Sequence, residues 1–94
     1  MTIDQAIQKA ALLLDLKADR GAAEAVLSKA LSGSPSPSPS FFQAKVMLAS
    51  LIAESRAEEA RQHLEGALAV YSTEWDDVVE RELVEARALL AQVS

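Results

Sequence analysis

Apolar residues along this chain recur at intervals of three and four, the spacing that keeps side chains on one face of an α-helix, and never alternate over a run long enough to ask for a strand. Ile7, Ala10, Ala11 and Leu14 make one such stripe, and Ala44, Met47, Leu48 and Leu51 make another. Towards the C-terminus Trp75, Val79, Leu83, Ala86, Leu90 and Val93 form a continuous seam, with Asp77, Glu80 and Arg87 on the reverse side. Between the stripes stand residues that start helices. Thr2 with Gln5, Ser40 with Gln43, and Ser55 with Glu58 have the spacing of capping boxes, and Thr73 with Asp76 is a weaker fourth, supported by negative charge at Glu74, Asp76 and Asp77. The pattern predicts an all-α fold with five helices, at residues 3–17, 21–32, 41–54, 56–71 and 74–92.

The stretch from Ser32 to Ser40 interrupts this series with prolines at 35, 37 and 39. Prolines at alternate positions exclude helix and favour an extended connector. Pro-x-x-Pro does not occur, so the stretch reads as a linker; its three Ser-Pro steps are also potential sites for a proline-directed kinase. Within 94 residues, 18 alanines and 13 leucines outweigh 10 valines and isoleucines, a composition suited to closely packed helices. One domain is expected, spanning the whole chain.

Charge and candidate chemistry narrow the function. With 14 acidic and 9 basic residues and no basic cluster, the chain is unsuited to nucleic acid. The absence of cysteine removes disulfides, thiolate metal sites and a thiol nucleophile, and the single His63 stands four residues after Glu59, outside Glu-x-x-His spacing. Gly21, Gly33 and Gly66 are isolated and build no phosphate-binding loop. Asp76, Asp77 and Glu80 fall within about one helical turn, where a solvated helix start explains them better than a cation site does. The expectation is a protein with no catalytic residues, no metal and no cofactor. The longest apolar run, Ala10 to Leu14, is five residues, and Met1 to Gln8 contains no basic residue, so neither a leader nor a membrane span is expected and the chain is placed in the cytoplasm.

Sliding the sequence against itself by 37 residues places Ile7, Ala10, Ala11 and Leu14 on Ala44, Met47, Leu48 and Leu51, and Ala23, Leu27, Ala30 and Leu31 on Ala60, Leu64, Ala67 and Leu68. This pattern, with small residues where two helices approach and large ones between them, resembles the tetratricopeptide repeat. The resemblance covers residues 4–72 and is strongest in the second helix of each pair. The family's Trp, Gly and Tyr positions hold Ile7, Ala11 and Leu14 here, then Ala44, Leu48 and Leu51, and the bulky Leu48 departs from the family's small residue. The resemblance implies two helical hairpins, at residues 3–32 and 41–71, stacked in an α-α superhelix. A Ser/Pro linker would occupy 33–40 and a capping helix 74–92. The other reading of the same stripes is a closed five-helix bundle.

The first helix of each pair is apolar on two sides. Leu12 and Leu16 lie opposite the first stripe, and Phe42, Val46, Ala49 and Ala53 lie opposite the second. In tetratricopeptide proteins that second side lines a groove for a peptide or partner helix. The resemblance thus implies a groove floor of Leu12, Leu16, Phe42, Val46 and Ala49 with Gln5, Lys9 and Lys45 at its polar edge. The alternatives are that these side chains pack under the last helix or within a homodimer. With no asparagine and few cations, the groove is poorly equipped for a C-terminal carboxylate and better suited to an amphipathic helix or apolar peptide. The expected function is that of a small adaptor or chaperone, comparable to secretion chaperones of tetratricopeptide type. Its alternative is an assembly protein that homodimerises through the same faces.

Overall fold

The first three helices begin where a side chain accepts from their first free N–H groups, at Thr2, Asp19 and Ser38. In this computed structural model, which describes residues 2–33 and 36–93, the elements are α1 (Ile3–Lys17), α2 (Arg20–Ser32), α3 (Pro39–Ile52), α4 (Ala57–Ala69), a 3-10 turn (Thr73–Trp75) and α5 (Asp76–Val93). The fold is all-α, with no strand among the described residues. Of the linker, Ser34 and Pro35 lie outside the described residues.

The Thr2 and Gln5 capping box forms as expected, each side chain accepting from the other's backbone N–H. The other three expected caps are displaced. At α3 it is Ser38 whose Oγ accepts the Phe41 N–H, at 3.1 Å, and Pro39 occupies the first turn, where a fixed φ and a missing N–H cost nothing. Ser40 is thereby drawn into the helix, where its hydroxyl donates to the Asp4 carboxylate of α1. Ser55 falls in the turn before α4, whose N-cap is Arg56 with no side-chain cap, and Glu58 and Glu59 supply first-turn negative charge. Thr73 begins the 3-10 turn, which Ser72 caps through the Glu74 N–H at 3.3 Å, and α5 starts only at Asp76.

Two apolar clusters build the core, and α3 separates them. On one side Ala44 and Leu48 of α3 pack with Ala10, Ala23 and Leu27 of α1 and α2. On the other, Phe42, Val46, Ala49 and Ile52 pack with Ala60, Leu64 and Ala67 of α4 and with Val79 and Ala86 of α5. Thus α1 folds back on α2 and α3 on α4, α3 also touches α1, α2 and α5, and α5 rests on α3 and α4. The internal repeat is visible at its borders, since each end of α2 stands 37 residues before the matching end of α4. Ala23 and Leu27 are buried, as are their counterparts Ala60 and Leu64. Polar ties cross the two halves: Arg56 pairs with Glu24 of α2 as well as with Glu59, and Arg20 donates to the Leu51 carbonyl at 3.4 Å. Among the described residues no helix is long and apolar enough to cross a membrane.

Candidate partner-binding surface

The eight residues expected to line one groove do not share one surface. Phe42, Val46 and Ala49 are 0%, 1% and 0% exposed. They lie in the cluster that α4 and α5 cover, because α3 is the central helix and both of its apolar sides meet other helices of the chain. Lys45 reaches α4, where its Nζ stands 3.3 Å from His63 Nδ1 and 5.6 Å from the Phe41 ring centroid. Burial lowers the pKa of Lys45 from its ordinary value. His63 is lowered as well, first by burial and then by the neighbouring Lys45 charge. A neutral imidazole can accept the ammonium hydrogen bond at Nδ1, so this pair is a local contact between α3 and α4.

The other half of the expected groove remains open. Leu12 and Leu16 are 57% and 77% exposed, and no other described helix packs over the side of α1 that carries them. Gln5, Lys9, Leu12 and Leu16 follow one another at four, three and four residues and so form a single stripe. Gln5 is exposed and spends its Oε1 on the Thr2 cap. Beside this stripe lies a cleft of about 360 Å³ between α1 and α2, lined by Lys9, Val26, Lys29, Ala30 and Gly33. Among the described residues, two ammonium groups and no carboxylate line that cleft.

A second opening was not foreseen from the sequence. Between α1, α3 and α5 a cleft of about 240 Å³ is lined by Ile7, Gln43, Val46, Met47, Ser50, Glu82 and Glu85. Gln43 crosses its wall, its Nε2 donating to Glu82 Oε1 at 3.0 Å and to the Val78 carbonyl at 3.5 Å. The signal that could have found it is the third strip of α3. Gln43, Met47 and Ser50, at spacings of four and three, fall between the two buried stripes and stay partly exposed. Among the described residues, no three His, Asp or Glu side chains converge as metal ligands.

Compared with known protein families, with characterised proteins and with solved structures, the chain matches none of them. The resemblance to tetratricopeptide repeats is carried only by the 37-residue self-similarity of the sequence.

Proposed function

We propose that this protein is a non-enzymatic interaction module, a small cytoplasmic adaptor or chaperone whose two tetratricopeptide-like hairpins stack in an α-α superhelix capped by α5. It holds an amphipathic helix or apolar peptide of a partner protein. The holding surface is the outer stripe of α1, Gln5, Lys9, Leu12 and Leu16, together with the adjoining α1–α2 cleft. The observation that carries this reading is the exposure of Leu12 and Leu16 on a helix whose opposite face packs in the core through Ala10, Ile7 and Leu14. Two large aliphatic side chains at that spacing offer the same i, i+4 geometry that a partner helix uses to present its own apolar face. Lys9 and Lys29 add orientation through charge rather than much affinity.

Photo-crosslinking tests it. A benzoylphenylalanine in place of Leu16 should give a discrete crosslinked product in cells, mapping to an amphipathic segment, and Leu12→Asp should remove it while leaving helicity intact. Equal capture by the same probe in place of Gln62, an exposed position on α4, would refute the assignment. A structural role through self-association is the second reading, favoured by exposed valines at the opposite end of the fold.

A further inference from the structure

Four large hydrophobic side chains stand out as exposed among the described residues: Leu12 (57%) and Leu16 (77%) on the first helix, Val78 (60%) and Val84 (65%) on the last. None is on α2, α3 or α4, the helices that have neighbours on both sides or close a pair. The two terminal helices differ in charge. Lys9 and Lys29 line the cleft at the α1 end. On α5, Asp77, Glu80, Val84, Ala88 and Ala91 form a fully exposed stripe at intervals of three, four, four and three residues, acidic at its start and small and apolar after it. Arg81 and Arg87 flank this stripe, yet α5 as a whole carries five carboxylates against those two cations.

We infer that the α1–α2 face receives α5 of a second copy of this chain, so that protomers associate head to tail. The inference rests on the α1 surface proposed above and specifies its occupant. A symmetric contact leaves the charges without complements: α1-to-α1 gathers two Lys9 and Lys29 pairs in one interface with no Asp77 or Glu80 to meet them, and α5-to-α5 gathers two acidic pairs without those lysines. The head-to-tail contact brings each lysine pair to a carboxylate pair and lays Leu12 and Leu16 along the small-residue side of Val84, Ala88 and Ala91. Such a contact leaves one free face at each end, so the assembly grows without stopping at the dimer unless its rotation closes a ring.

Light scattering on the intact chain decides it. The weight-average mass should rise with concentration to at least about twice the protomer mass near ~0.5 mM protein in ~20 mM salt, and fall back in ~0.5 M salt, where charges are screened within a few ångström. The double variants Lys9→Glu/Lys29→Glu and Asp77→Lys/Glu80→Lys should each stay monomeric alone and assemble when mixed, since each then offers the other a complementary end. All four positions are exposed, and circular dichroism verifies that the variants keep their helices. A wild-type chain that is monomeric throughout overturns the head-to-tail contact, leaving the α1 surface to be judged by crosslinking. Association lost in Leu16→Asp but untouched by Asp77→Lys/Glu80→Lys overturns α5 as the occupant while keeping the α1 surface. Association indifferent to Leu16→Asp overturns both.

Discussion

Tyr71 holds a buried hydroxyl with no hydrogen-bond partner among the described residues, while its ring sits 5.4 Å from Phe42 and 6.2 Å, edge-on, from Trp75. The ring contacts are favourable and the unpaired oxygen is a cost. Tyr71→Phe keeps the first and removes the second, so denaturant unfolding should show unchanged stability or a gain of up to about 1 kcal/mol; a comparable loss would mean that the hydroxyl has a partner in solution. His63 sets a pH dependence. Its folded pKa lies below the ordinary imidazole value through burial and Lys45, with Arg56 acting in the same direction and Glu59 and Glu24 opposing it. The unfolded chain therefore binds the proton more readily. The contribution is complete above the ordinary value and is lost as pH falls through the lowered one. Between about pH 7 and pH 5 the wild type should lose more stability than His63→Gln, measured by thermal melts at matched ionic strength. Parallel melts would remove His63 as the cause.

At the scale of elements, two helix positions are less stable than their geometry allows. Ala18 ends α1 in the left-handed conformation, φ 50°, with its N–H directed to the Leu13 and Leu14 carbonyls. A Cβ is costly there, and glycine is the usual occupant of such a cap. Ala18→Gly should raise stability by about 0.5 kcal/mol after the entropy glycine adds to the unfolded chain. Gly66 is the converse, a mid-helix glycine in α4 whose added Cβ would meet no atom within 4 Å. Gly66→Ala should add about 1 kcal/mol, seen as a rise of roughly 4–8 °C in Tm. The sequence already sets Gly66 inside an expected helix, but the open space around its Cβ and the left-handed turn at Ala18 are set by packing and chain reversal. The 3.6-residue period marked where all five helices lie, because each buries a stripe at that spacing. The caps were less legible. Ser40 and Ser55 have the right spacing to their Gln and Glu, but Pro39 starts α3 earlier and Arg56 occupies the N-cap of α4. Local spacing shows which caps are possible, and tertiary packing selects among them. The seam of α5 likewise gave no hint of its break at Val79 (φ −116°, ψ 19°), near which Gln43 reaches the Val78 carbonyl.

For the molecule as a whole, the two-sided apolar character of α1 and α3 was legible, but the meaning of the second side was not. The same pattern describes a helix with neighbours on both flanks and a helix with one flank open. Only position among the helices separates α3, whose Phe42 and Val46 are covered by α4 and α5, from α1, whose Leu12 and Leu16 are bare. That position also governs cooperativity. Because α3 supplies side chains to both clusters, and Leu51 packs against each of them, neither half can lose α3 without exposing the core of the other. Phe42→Ala should therefore cost about 3–5 kcal/mol, a large share of the roughly 5–15 kcal/mol typical of a domain. Its effect should reach α1 and α2, which Phe42 does not join in its own cluster. Trp75 packs in the C-terminal cluster, so its fluorescence follows that half, whereas circular dichroism follows every helix. In wild type and Phe42→Ala alike, the two signals should share one midpoint. If tryptophan fluorescence were lost well before helicity in Phe42→Ala, α1 and α2 would be folding on their own, and α3 would be a boundary between two units rather than the core they share.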